Sequence, residues 1–245
     1  SSHFASEFRY KPIVEKSSNI LSIFISQSGE TADTLAALRF AKKNKSKILS
    51  LVNVIESSIA RESDYIVSIA AGPEIGVAST KAFSAQLSVL ACVCLVMARE
   101  KKKLTKKKEL ELTESLLEVP SNMSNILELC KKINQISKKI VNAKSALFLG
   151  RGISFPIAME GALKLKEISY IHAEGYASGE MKHGPIALVD DKVPVIIIAP
   201  RDFLFEKNMS NMQEIMARGG DVILITDKNG EKQLEEETIK KIVLP

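Results

Sequence analysis

Apolar runs rich in Ile, Leu and Val alternate with helical patterns along the whole chain, and that alternation leaves few folds open. "NILSIFIS" (19–26), "KILSLVNV" (47–54), "DYIVSIAAG" (64–72), "SALFLGRG" (145–152), "VPVIIIAP" (193–200), "DVILIT" (221–226) and "IKKIVLP" (239–245) read as strands. Between them, "ETADTLAALRFAKK" (30–43), "STKAFSAQLSVLACVCLVMAREKKK" (79–103), "PIAMEGALKLKEIS" (156–169) and "EKNMSNMQEIMARGG" (206–220) read as helices. The first of these helices carries acids early and bases late, as a helix dipole favours. Strands that are apolar residue after residue are buried on both faces, and strand–helix–strand succession pairs them in parallel. The expectation is an α/β fold of doubly wound parallel sheets, flavodoxin-like, in three layers.

The chain also repeats its own plan. "ILSIFISQSGETADTLAALRFAKKNKSKILSLV" and "PVIIIAPRDFLFEKNMSNMQEIMARGGDVILI" each run strand, loop, helix, short turn, strand. The strand and helix at 145–169 have no counterpart in the first half, and the long helix at 79–103 has none in the second. The reading is two α/β units, 1–118 and 143–245, joined by a linking helix at 119–142. On this reading both units are incomplete, and the chain is trimmed at both ends.

With 245 residues, 45% of them apolar and 26% charged, the composition is that of a soluble globular protein. The net charge of +5 is concentrated in "REKKKLTKKKEL" (99–110), which has no interleaved aromatics to stack bases and reads as a solvated helix end or loop. A nucleic-acid partner is not expected. The apolar stretch "LSVLACVCLVMA" (87–98) is too short to span a bilayer and reads as part of a buried helix, so no membrane is expected either. Cys92, Cys94 and Cys130 are odd in number, lack metal spacing and read as reduced and buried, in a cytoplasmic protein. No metal or cofactor is called for.

Two stretches carry chemistry. In "ISQSGETADTL" (25–35), Ser26, Gln27, Ser28, Gly29 and Thr31 lie between a strand and a helix, where backbone N–H groups and the helix dipole favour an anion. The turn lacks the lysine of a Walker loop and the pattern of a dinucleotide turn. It serves either as an ordinary helix cap or as a phosphate cradle. The matching turn of the second half, "APRDFLFEK", lacks the hydroxyls, which favours the cradle.

In "AMEGALKLKE", Glu160, Lys164 and Glu167 share one helical face, with Ala158, Ala162 and Leu165 turned toward a packed neighbour. The polar three form either a solvated ladder or a general base beside a lysine that stabilises negative charge. "YIHAEGYASGEMKHGPIAL" (170–188) reads as a loop and short helix. Within it, Gly and Pro in "KHGP" lift His183 off regular structure, whereas His172 reads equally well as a packed residue. A phosphate site with a carboxylate and a histidine suits aldose–ketose isomerisation.

Taken together, "SQSGETADTL", "EIGVASTKAF", "LGRG", "EGALKLKEISYIHAE" and "GEMKHGP" resemble the isomerase part of the glutamine–fructose-6-phosphate aminotransferase (glucosamine-6-phosphate synthase) family. The resemblance runs through almost the whole chain. It implies two tandem SIS (sugar isomerase) domains in a homodimer, with a glutaminase domain of the same protein as partner. It further implies conversion of fructose 6-phosphate and glutamine-derived ammonia to glucosamine 6-phosphate. By that resemblance Ser26, Gln27, Ser28 and Thr31 bind the phosphate, and Val77 and Ser79 shape the sugar pocket. Glu167 moves the proton between C1 and C2 with Lys164 assisting, Glu160 lines the pocket, and His183 opens the ring from the partner subunit. The family also carries an earlier strand with a "CGTS"-like turn and a C-terminal tail with a Schiff-base lysine. Neither is in this sequence, nor is a nucleophilic N-terminal cysteine, so glutamine hydrolysis is not expected here and the isomerase site is expected to be incomplete. Pro73 stands where the family pattern has a polar residue. Another SIS-type isomerase or deglycase, or a phosphosugar-binding module without catalysis, stays open beside this reading.

Overall fold

The computed structural model describes residues 1–10, 19–234 and 239–245. The chain separates into two compact units, Ser1–Thr113 and Glu114–Pro245.

In the first unit a short helix α1 (Ala5–Phe8) precedes β1 (Leu21–Ser26), α2 (Ala32–Lys43), β2 (Lys47–Val52), α3 (Ser58–Glu62), β3 (Tyr65–Ser68) and α4 (Thr80–Glu100). The three strands form a parallel sheet in the order β1-β2-β3. Phe24, Ile48 and Val52 face Ala37, Leu38 and Ala41 of α2. Leu49, Leu51 and Ile69 face the other way, toward Ala85, Val89, Leu90 and Val93 of α4. In β2, residues of opposite parity thus supply two cores, whereas Leu21, Ile23 and Ile25 of the edge strand β1 are 40% exposed, so that strand is buried on one face only.

Helix α5 (Lys106–Ile126) contains the boundary between the units and buries none of its residues. The second unit continues through α6 (Cys130–Ile140), β4 (Ser145–Gly150), α7 (Ser154–Ser169) and β5 (His172–Ala177). Two 3₁₀ turns follow, Ser178–His183 and Pro185–Leu188, and then β6 (Pro194–Ile198), α8 (Phe205–Met216), β7 (Asp221–Asp227), α9 (Lys228–Glu231) and β8 (Lys240–Leu244). The five strands are parallel in the order β5-β4-β6-β7-β8. This is the doubly wound 2-1-3-4-5 order, with the switch point between β4 and β6. As the repeat predicts, β1 and β2 match β6 and β7 in plan, whereas β4 and β5 have no counterparts among the described residues of the first unit.

Three expectations change. The stretch 170–188 is not loop and short helix alone, because His172–Ala177 pairs with Ser145–Gly150 along its whole length as β5. Its sequence, "HAEGYA", has no β-branched residue, so the strand rests on tertiary fit rather than propensity. Gly175 is the reason it fits: a Cβ there would lie 2.6 Å from Cα of Met159 in α7.

Helix α4 is not buried. By length and composition it is apolar enough to cross a membrane, and only 6% of its most apolar window is covered. Its 21 residues extend about 31 Å, against about 20 Å for a six-residue strand, so the sheet covers one stripe of it and leaves Leu87 and Val96 in solvent. The cysteines are exposed for related reasons: Cys92 and Cys94 lie off that stripe, and Cys130 opens the surface helix α6.

The glycine contact fixes a measurable cost. Gly175→Ala destabilises the second unit by about 1–3 kcal/mol through overpacking against α7, read as a lower urea midpoint with an unchanged slope.

Candidate functional site

The first-unit turn is built around one buried hydroxyl. Ser26, the last residue of β1, is 6% exposed, and its Oγ accepts from the Gly29 N–H at 3.0 Å and lies 3.2 Å from Thr31 Oγ1. Gly29 has φ +68°, and a Cβ on it would come within 1.9 Å of Ser57 Oγ. Only glycine combines that conformation with that proximity. Gln27 accepts the Asn53 N–H through its carbonyl, at 3.2 Å. Ser28 Oγ accepts from the Glu30 N–H at 3.2 Å.

Thr31 is the residue preceding α2, yet its side chain makes no capping hydrogen bond. The first intrahelical bond runs from the Leu35 N–H to the Thr31 carbonyl at 2.9 Å. The N–H groups of Ala32, Asp33 and Thr34 therefore find no acceptor among the described residues. The ordinary-cap alternative asks for a side-chain bond that this turn does not make.

Glu30 does not fill the gap. Its carboxylate turns to α3 and accepts the Ser58 N–H at 2.7 Å. That backbone bond, with the Ser58 hydroxyl and the charge of Arg61, outweighs desolvation and holds the Glu30 pKa below its ordinary 4.5.

Val77 and Ser79 lie in the loop that leads into α4. Val77 is 90% exposed, and Ser79 sits in the left-handed region at φ 51° with no side-chain cap bond. This conformation is uncommon for a residue with a Cβ. Asn53 braces the loop, accepting the Ala71 N–H at 2.8 Å and donating to the Gly72 carbonyl at 2.7 Å. The Pro73 carbonyl, at the position that departs from the family pattern, accepts from Lys81.

In the second unit α7 brings its three charged residues together. Lys164 Nζ lies 2.8 Å from Glu167 Oε2 and 3.4 Å from Glu160 Oε1, with all three side chains a third exposed or less. Burial works against the ammonium, yet the bond to Glu167 and the charge of Glu160 outweigh it and raise the Lys164 pKa above the usual lysine value. Ala158 and Ala162 point into the core, as their spacing predicts.

His183 ends the turn that follows β5. It is exposed and makes no hydrogen bond or ion pair among the described residues, so no direct bond joins it to the α7 cluster. His172 is exposed too, 3.5 Å from Glu174. Among the described residues no three His, Cys, Asp or Glu side chains gather as a metal site.

The sequence reading missed Ser57, and it missed Arg151, Ser178, Asn208 and Asn211, which bond in two pairs, Arg151 to Asn211 and Ser178 to Asn208, at the strand ends of the second unit. A signal was present. Asn208 and Asn211 fall in phase with the buried Phe205, Met212 and Ile215 of α8, where apolar side chains would be expected.

Comparison with known proteins agrees with this layout. The SIS domain pattern matches residues 1–96 and 139–243. The chain belongs to the SIS domain family. It is 56% identical over 243 residues to glutamine–fructose-6-phosphate aminotransferase of Bartonella quintana, and 55% identical over 244 residues to that of Brucella abortus. These alignments take in 98% and 100% of this chain but 40% of each relative, so the SIS chain spans less than half their length. The C-terminal domain of glucosamine-fructose-6-phosphate aminotransferase from Francisella tularensis superposes with a TM-score of 0.96 at 46% identity, covering 100% of this chain and 68% of that one. Glucosamine-6-phosphate deaminase from Thermotoga maritima shares the fold at a TM-score of 0.68 and 22% identity, over 90% of this chain and 65% of its own.

The Glu30 bond gives a pH test. A carboxylate held below its ordinary pKa contributes stability above 4.5 and loses it as pH falls through the lowered value. The Ser58 amide resonance titrates with a midpoint below 4.5, and Glu30→Gln abolishes that step.

Proposed function

We propose that this chain is the isomerase portion of a glutamine–fructose-6-phosphate aminotransferase: it binds fructose 6-phosphate, opens the ring and moves a proton between C1 and C2 on the way to glucosamine 6-phosphate. The observation that carries the reading is the first-unit turn, where hydroxyls and unpaired helix N–H groups converge and no side chain caps the helix. A phosphate dianion accepts several such donors at once and takes the favourable end of the helix dipole. Identity above half across two aminotransferases supports the choice of substrate over other phosphosugars.

In this reading Ser26, Gln27, Ser28 and Thr31 hold the phosphate, while Val77 and Ser79 shape the wall beside the sugar. His183 protonates the ring oxygen as the C2–O bond opens, reaching the site from the partner subunit of a homodimer. Ammonia condenses with the C2 carbonyl of the open sugar and releases water. The Glu167 carboxylate then takes a proton from C1, leaving an enolamine intermediate, and returns it to C2, so that C1 becomes the aldehyde and C2 carries the amine. Lys164 stands beside that carboxylate and stabilises negative charge on the intermediate oxygen, and Glu160 keeps the ammonium in place. Ammonia arrives from a glutaminase domain of the same protein, in a soluble cytoplasmic enzyme.

Titration calorimetry tests the binding step. Fructose 6-phosphate binds saturably and plain fructose does not, and Thr31→Ala weakens binding by about tenfold or more, as expected for a lost hydrogen bond to a charged group. Glu167→Gln leaves that affinity in place and lowers proton transfer by about 10²–10⁴-fold, read as solvent tritium exchange at C1. Equal binding of both sugars, or an unaffected Thr31→Ala protein, would sink the assignment of this turn.

A further inference from the structure

We propose that a polar stripe of α8, acting with Arg151, is the device that positions His183, and that Asn211 is its central positioning residue. The inference rests on the isomerase reading above. Asn208, Asn211 and Glu214 recur every third residue and so share one face of the helix. Each makes one tie toward the strand ends. Ser178 Oγ donates to Asn208 Oδ1 at 3.1 Å, with both residues buried. Arg151 donates to Asn211 Oδ1 from Nε at 3.2 Å and from Nη2 at 2.8 Å. Lys182 Nζ pairs with Glu214 at 2.8 Å.

These ties bracket one short segment. Ser178 begins the 3₁₀ turn that His183 ends, and Lys182 adjoins His183. Gly179 lies against the Arg151 guanidinium, where a Cβ would stand 3.2 Å from Nη1 and Nη2, so Arg151 forms the floor under the turn. Met181 is fully buried between these points. Gly184 follows at φ 137° and Pro185 opens the next turn, so the exit is fixed as well. The backbone is thus tied on both sides of a histidine whose imidazole is exposed and bonded to nothing among the described residues.

Stability alone does not explain the arrangement. Two asparagines at core positions give up hydration for bonds that add little net stability, and apolar residues of similar volume would serve α8 as well. What the asparagines provide is direction: fixed acceptors that hold Arg151 and Ser178 at one geometry. A misplacement of about 1 Å in a catalytic group costs up to about a hundredfold in rate.

The test compares Asn211→Leu with Asn211→Asp in the full-length enzyme carrying this sequence. Aspartate keeps an acceptor for both Arg151 donors and leucine does not. Asn211→Leu lowers kcat on fructose 6-phosphate by about tenfold or more with KM nearly unchanged, and Asn211→Asp recovers kcat to within about threefold of wild type. A second readout is independent of turnover. The His183 imidazole resonance is identified by its loss in His183→Gln, and in Asn211→Leu that resonance loses its distinct folded-state shift. A folded Asn211→Leu protein with wild-type kcat and an unchanged His183 signal overturns the proposal. Should Asn211→Leu not fold, Ser178→Ala removes a single hydroxyl and is judged by the same two measurements. If the wild-type enzyme fails to turn over fructose 6-phosphate, the isomerase reading falls, and the His183 resonance alone then decides whether the stripe positions that side chain.

Discussion

Parallel pairing of continuously apolar strands is the constraint from which the rest of this structure follows. Helices cover both faces of β2, while Leu21, Ile23 and Ile25 leave one face of the edge strand β1 exposed, and each connection must return over the sheet before the next strand begins. The consequence is directional: within each sheet every strand ends on the same edge, and the strand-to-helix turns of that sheet open there. The hydroxyl turn after β1, the arginine turn after β4 and the His183 segment after β5 are all products of that geometry. Chemistry gathers at the strand ends because the sheet interior has no room for it.

The two units stabilise their turns by different means. In the first, the hydroxyl network is local, with Ser26, Gly29 and Thr31 within six residues, and the segment 53–59 supports it: Asn53 and Ser58 donate to Gln27 and Glu30, and Ser57 sets the glycine requirement. That economy leaves the N–H groups at the start of α2 unspent. In the second, the segment carrying His183 has no such local network and borrows its restraint from a helix about thirty residues further along the chain. A local turn is readable in a sequence as a motif, whereas a borrowed restraint is not.

This difference explains how much was legible from the residues alone. The α/β class, the parallel sheets, the internal repeat, the hydroxyl turn and the shared face of Glu160, Lys164 and Glu167 each follow from periodicity or from groups close in sequence. Strand β5 was not legible, because "HAEGYA" becomes a strand only where Gly175 lets α7 approach. The exposure of α4 and its cysteines was not legible either. Hydropathy reports that a helix is apolar, and it is the length of the opposing sheet that decides how much of it is covered. Asn208 and Asn211 read as interruptions of an amphipathic pattern, since nothing local reveals that their partners are Ser178 and Arg151.

The α7 cluster shows why the same three residues could be read as ladder or as catalyst. An exposed Glu–Lys pair at helical spacing contributes only a few tenths of a kcal/mol, and nothing in the spacing distinguishes it from a working pair. What the structure adds is partial burial. Lys164 keeps its charge against desolvation because two carboxylates face it, and that charge is then available at a fixed point beside Glu167. A solvated ladder would lose its field to water within a few ångströms, whereas a half-buried one retains it. Helix α7 is anchored in the core by Ala158 and Ala162, so the cluster moves only if the sheet moves. The buried alanines on one face thereby hold the charge geometry on the other, and packing and electrostatics become a single constraint on where the cluster's charges sit.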